Sequence, residues 1–120
     1  MIMLDRRQRG QQAEARVDRI AGNSGWQRIA RNYHTRGGEL DLVYTHQDCL
    51  IVVEVRYRRH ADYGRAAATV DRNKQRRIVH ATRHFLAHHP RYADHAVRFD
   101  VVGIDADDSL DWIENAFYAE

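Results

Sequence analysis

A chain of 120 residues, 43% hydrophobic and 30% charged, can build one apolar core but not two, and its composition excludes a disordered tail. The formal charge of +2 hides a basic side, because 19 bases are offset by 17 acids and eight histidines add charge below neutral pH. One cysteine, Cys49, excludes a disulfide framework and a cysteine-based zinc site; no stretch is long and apolar enough for a signal peptide or a membrane span, so a cytoplasmic protein without a membrane partner is expected.

Residues 4–20 carry a helical period through Leu4, Ala13, Val17 and Ile20, which AGNSG interrupts. WQRIARNY follows as a short irregular strand. ELDLVYT and CLIVVEVRY are rich in β-branched and aromatic residues, and THQD between them reads as a hairpin loop. Pairing across that loop sets Tyr44 against Cys49, Asp41 against Val52 and Glu39 against Glu54. Glu39, Asp41, Glu54 and Arg56 then share one face, and Leu40, Leu42, Ile51, Val53 and Val55 form an apolar face. A slip of two residues preserves this division.

Beyond a polar loop with Gly64, TVDRNKQRRIVHATRHFLAHHP reads as a helix. Thr69 can cap it, Asp71 suits its positive end, Val70, Ile78, Val79, Phe85 and Leu86 mark its buried stripe, and Pro90 stops it. VRFDVVGI is a strand and LDWIENAF one more. A strand, a helix and a strand in that order form the crossover that makes a parallel pair.

Acids within a strand are costly unless something positive compensates for their desolvation. E-x-D, then twelve residues, then E-x-R is the spacing that lets two neighbouring strands present carboxylates to a hard cation such as Mg2+ and a base beside it. Asp41, Glu54 and Arg56 fill those places. The ordinary alternative is a structural ion pair on a solvated sheet face. Positive runs at DRRQR, RYRRH, DRNKQRR and HPRY suit a phosphate backbone, with Arg72, Arg76, Arg77 and Arg83 on the outer side of the second helix; such runs are also ordinary solvated surface. Nearly all this charge is arginine, and Lys74 is the only lysine.

GGELDLVY, LIVVEVRYR, the helix with KQRR, RFDVV and WIENAF, in that order and over most of the chain, resemble the motifs of the YraN family of small bacterial proteins. The resemblance implies a restriction-endonuclease-like α/β fold, a mixed central sheet with an antiparallel hairpin and flanking helices, distantly similar to archaeal Holliday junction resolvases. It also implies a PD-(D/E)xK site: Asp41 and Glu54 as metal ligands, the Val55 carbonyl as a third oxygen, Glu39 as the family's acid two positions before the aspartate, and Arg56 where the motif has lysine. The chain departs from that pattern in three places. Gln11 follows Gly10 where a Gly-Glu pair is usual, three extra residues sit in AGNSGW, and Arg56 grips phosphate rather than tuning a proton. Lys74, on the helix flanking the site, can take over the lysine's role.

The resulting expectation is a Mg2+-dependent nuclease, with Mn2+ as a substitute, acting on branched or single-stranded DNA through Asp41, Glu54, Arg56 and Lys74. Two alternatives stand beside it: a nucleic-acid-binding module that has lost catalysis, and an interaction protein whose ion-paired sheet face makes a homodimer contact. His80, His84 and His88 recur every fourth residue, without a partner motif that would make them metal ligands. Asp100 reads as structural, paired with Arg98 or a loop base. Tyr57 and Tyr63 could stack on unpaired bases or close the core. Neither a phosphate loop nor a nucleophile elbow is present, and Cys49 lacks the electropositive setting of a reactive thiol.

Overall fold

The computed structural model describes residues 5–57 and 70–119. Five strands form one sheet in sequential order, β1 (Gln27–Thr35), β2 (Gly38–His46), β3 (Cys49–Tyr57), β4 (Ala96–Ile104) and β5 (Leu110–Phe117). Only β3 and β4 run parallel; helix α2 (Arg72–His88) lies in the connection between them, and every other pair is antiparallel. Helix α1 (Arg6–Asn23) precedes the sheet. This is an α/β fold with a mixed sheet flanked by two helices, compatible with the restriction-endonuclease-like class. Tyr63, Gly64, Thr69 and most of RYRRH lie outside the described residues.

Each helix covers one face. Ala13, Val17 and Ala21 of α1 pack with Leu42, Tyr44, Ile51, Val53, Val102 and Ile104, while Ile78, Val79, Ala81 and Phe85 of α2 pack with Leu40, Val43, Leu50, Val52, Phe99 and Val101. The face that carries Glu54 is therefore half of the core rather than a solvated surface. Burying both faces also explains the nearly continuous apolar run of β3, the pattern of a strand with covers on both sides.

Several local expectations shift. Asp5 caps α1 through a capping box with Gln8, and the helix continues to Asn23, with Ala21 in the stripe and Ile20 38% exposed. The cap of α2 is Asp71, whose Oδ1 accepts from the Lys74 amide at 2.8 Å. Strand β1 is irregular as anticipated, with a bulge between Arg28 and Ala30 and a φ of 51° at Asn32. The hairpin turn is Gln47-Asp48 alone, with φ of 50° and 61°, the two left-handed residues of a type I′ turn. His46 therefore faces Cys49 and Tyr44 faces Ile51, a two-residue slip from the expected register that leaves the faces unchanged.

Three features seat the helices and the last strand. Tyr44 donates its hydroxyl to Asp18 on α1 at 2.8 Å, and Arg28 pairs with the other oxygen of the same carboxylate. Gly38 lets α2 approach β2: a Cβ there would lie 2.2 Å from the Arg77 carbonyl oxygen, so any side chain would push the helix off the sheet. Asp100, 1% exposed, accepts a bidentate pair from Arg98 at 2.8 and 2.9 Å, the Trp112 indole at 3.0 Å and the Asn115 amide at 3.0 Å. Its charge is thus spent on anchoring β5, the structural role expected of it.

Candidate active site

Between Leu42 and His46 strand β2 pairs regularly with β3. In that register an unbroken ladder would carry the Val55 amide to the Leu40 carbonyl. Instead Val55 donates to Asp41 Oδ2 at 2.9 Å, and Leu40 packs on the α2 side although Leu42 packs on the α1 side. The hairpin opens at Asp41. This corrects the placement of Leu40 beside Leu42, because alternation fails where the ladder does.

The opening gathers charge. The side chains of Asp41 and Glu54 share a hydrogen bond, Lys74 Nζ lies 3.5 Å from Glu54 Oε1, and Arg56 reaches the same oxygen at 3.7 Å. Lys74 arrives there because Asp71 caps α2 three residues earlier and Gly38 lets that helix close on the sheet. Glu54 is only 4% exposed. Burial first, then the Asp41 charge, pushes its carboxyl up to about 8 against the opposing pull of Lys74 and Arg56. Asp41 is also raised, by burial, against the Val55 amide hydrogen bond and the Lys74 charge.

The expected residues do not all converge. Glu39 pairs at 3.0 Å with His34 in an exposed setting, and acts on Asp41 only through its charge. Val55 enters the site through its amide. Arg72, Arg76 and Arg77 are exposed along α2, and Arg72 and Arg76 flank a groove with Tyr118. His80, His84 and His88 are exposed; His84 and His88 stack at 4.1 Å and Tyr33 bonds His84 at 2.6 Å. Burial raises the Cys49 thiol, which agrees with an inert cysteine.

One carboxylate escaped the sequence reading. Glu14 on α1 is pushed upward by burial and by the charges of Asp41 and Glu39, while an Asn32 hydrogen bond and the Arg31 charge oppose that rise. The Gly-Glu pair of the family pattern puts its acid at position 11, where this chain has Gln11. Glu14 is three residues further along the same helix and therefore on the same face, a spacing visible beforehand.

A buried and a half-buried carboxylate sharing a hydrogen bond form a donor set that a hard divalent cation suits, since its charge would replace the proton that relieves their repulsion. Among the described residues no group of three His, Cys, Asp or Glu side chains is placed to hold a metal ion by itself.

The raised Glu54 carboxyl has a consequence for stability. An unfolded glutamate ionises near ~4.3, so from there up to the folded value the native state binds the extra proton and stability falls as pH rises, by at most ~1.4 kcal/mol per unit. Urea midpoints should drop between pH 5.5 and 8 in the parent, and the drop should be shallower in Glu54→Gln. Parallel curves for the two proteins would rule out the protonated pair.

Residues 13–104 match the profile of "Uncharacterised protein family UPF0102". A UPF0102 protein of Alcanivorax borkumensis is 41% identical over 123 residues, covering 99% of this chain and 98% of the relative. Another, from Saccharophagus degradans, is 45% identical over 115 residues, with 96% and 97% covered, and one from Halorhodospira halophila is 44% identical over 116 residues, with 97% and 92% covered. With a profile spanning most of the chain and relatives matched over nearly their whole length, the chain belongs to UPF0102, the YraN family that its motifs resemble.

Proposed function

We propose that this protein is a nuclease-like DNA-binding protein that hydrolyses phosphodiester bonds at the opening between β2 and β3. The supporting observation is the pairing of half-buried Asp41 with buried Glu54 where the hairpin splits, faced by both Lys74 and Arg56. A hard divalent cation, Mg2+ or Mn2+ in its place, would be held by Asp41, Glu54 and the Val55 carbonyl, with Glu14 and Glu39 adding negative charge nearby; it supplies positive charge to the phosphate under attack and acidifies the attacking water.

The remaining work falls to the chain. Asp41 keeps its orientation through the Val55 amide, which leaves its second oxygen for the site. Lys74, the only lysine, can hold and orient a water, whereas Arg56 is a permanent cation suited to a phosphate oxygen. Exposed Arg72, Arg76 and Arg77 supply phosphate contacts that carry no sequence information.

The test is cleavage of duplex, branched and single-stranded DNA by the purified chain with Mg2+ or Mn2+, run beside binding at two salt concentrations. Metal-dependent cleavage is expected, and binding should weaken by at least tenfold between 50 and 200 mM salt if several phosphates are contacted. Salt-sensitive binding without cleavage under any of these conditions would leave a binding module with Arg56 as a phosphate fork. Absence of both would remove the nucleic-acid reading.

A further inference from the structure

Beside the carboxylate pair, where the start of α1 meets the end of β3, lies a cavity of about 550 Å³ lined by Asp5, Arg6, Arg9, Gly10, Val55, Arg56 and Tyr57. We propose that it binds the phosphate of an unpaired nucleotide, with Arg6, Arg9 and Arg56 on the phosphate and the base against Tyr57. The proposal rests on the nuclease reading for its place in a reaction, although the binding can be measured without any cleavage.

Charge and shape both point to this ligand. Among the described residues three guanidinium groups line the cavity against one carboxylate, that of Asp5, which already accepts the Gln8 amide in the helix cap at 2.8 Å. Arg9 is held in place from the sheet: its guanidinium carbon lies 5.5 Å from the Tyr57 ring centroid, and its NH1 donates to the Tyr57 hydroxyl at 3.1 Å. An arginine ordered on an aromatic ring offers a phosphate fork and a stacking surface in one place. Gly10, also in the lining, leaves open space beside it, since a Cβ at that position would meet no atom within 4 Å.

The cavity also adjoins the proposed chemistry. Val55, in its wall, donates its amide to Asp41, and Arg56, in the same wall, lies 3.7 Å from Glu54. A nucleotide bound here would sit next along the strand from a phosphate at the carboxylates. A concave pocket with an aromatic wall admits a base that has left its stack, whereas a duplex keeps its bases inside and presents only its backbone. The pocket thus selects unpaired DNA, such as a flap, a gap or the arm of a branch.

The experiment is calorimetric titration of the full chain in EDTA with the dinucleotide pTpT, inorganic phosphate and thymidine. The parent should bind pTpT at least tenfold more tightly than inorganic phosphate and should not bind thymidine measurably. Arg6→Ala/Arg9→Ala should lose at least tenfold in pTpT affinity. Gly10→Leu should do the same by occupying space beside the lining, and its folding can be checked by urea unfolding. Unchanged pTpT affinity in both variants overturns the proposal, and inorganic phosphate binding as tightly as pTpT overturns the base contact. If pTpT binds as expected but no DNA is ever cleaved, the nuclease reading fails alone; if DNA is cleaved while both variants bind pTpT like the parent, this inference fails alone.

Discussion

Asp41→Asn should abolish both magnesium binding and metal-dependent cleavage while leaving the fold intact. Asparagine has nearly the same shape and its carbonyl oxygen can still accept the Val55 amide, so the opening of the hairpin survives. What disappears is one negative charge from the pair. A hard cation loses a carboxylate ligand, and a reaction that depends on it should fall by at least a hundredfold. Removing the charge also relieves Glu54, so the urea midpoint at pH 8 should stay level or rise. Calorimetric titration with Mg2+ and urea unfolding together read this without any substrate. Parent-like magnesium affinity in Asp41→Asn would contradict the metal assignment, and a collapsed fold would show that the carboxylate is needed for structure instead.

Lys74→Met should lower cleavage by about a hundredfold with little change in DNA affinity. The Lys74 ammonium, 3.5 Å from Glu54, lies among the site's acids, and methionine retains much of its stem while losing the charge. DNA affinity should hold because Arg56 and the exposed arginines of α2 remain. Adding Arg56→Lys to this variant should recover at least tenfold of the lost rate, because Arg56 reaches the same Glu54 oxygen and lysine there could hold a water. Single-turnover rates on unpaired DNA, with fold checked by urea, measure both effects. An unaltered rate in Lys74→Met would return the positive role at the site to Arg56 alone; an Arg56→Lys addition that recovers nothing would confine position 56 to binding phosphate.

These variants carry opposite expectations for alkaline stability, which helps to tell them apart. The Lys74 charge opposes the rise of the Glu54 carboxyl, so removing it should steepen the loss of stability towards pH 8. Asp41→Asn removes a charge that promotes that rise and should flatten the same curve.

The parts of this protein that were legible in its sequence are those governed by short periods. Alternation along ELDLVYT and CLIVVEVRY assigns Glu54 and Arg56 to one side and Ile51 and Val53 to the other, and a two-residue slip cannot disturb that parity. The apolar stripe of α2 and the strand-helix-strand order likewise determine a parallel β3–β4 pair. Tertiary structure alone decided where the ladder breaks. Leu40 leaves its expected face because the Asp41 carboxylate takes an amide that the backbone would otherwise hold, a competition no alternation pattern records. It also brought Lys74 to Glu54 and Glu14 towards Asp41, since each depends on how closely a helix approaches the sheet: Gly38 permits the approach on one face, and the Asp18–Tyr44 bond anchors it on the other. Periodicity says which way a side chain points from its own element, whereas the distance between two elements is a property of their packing.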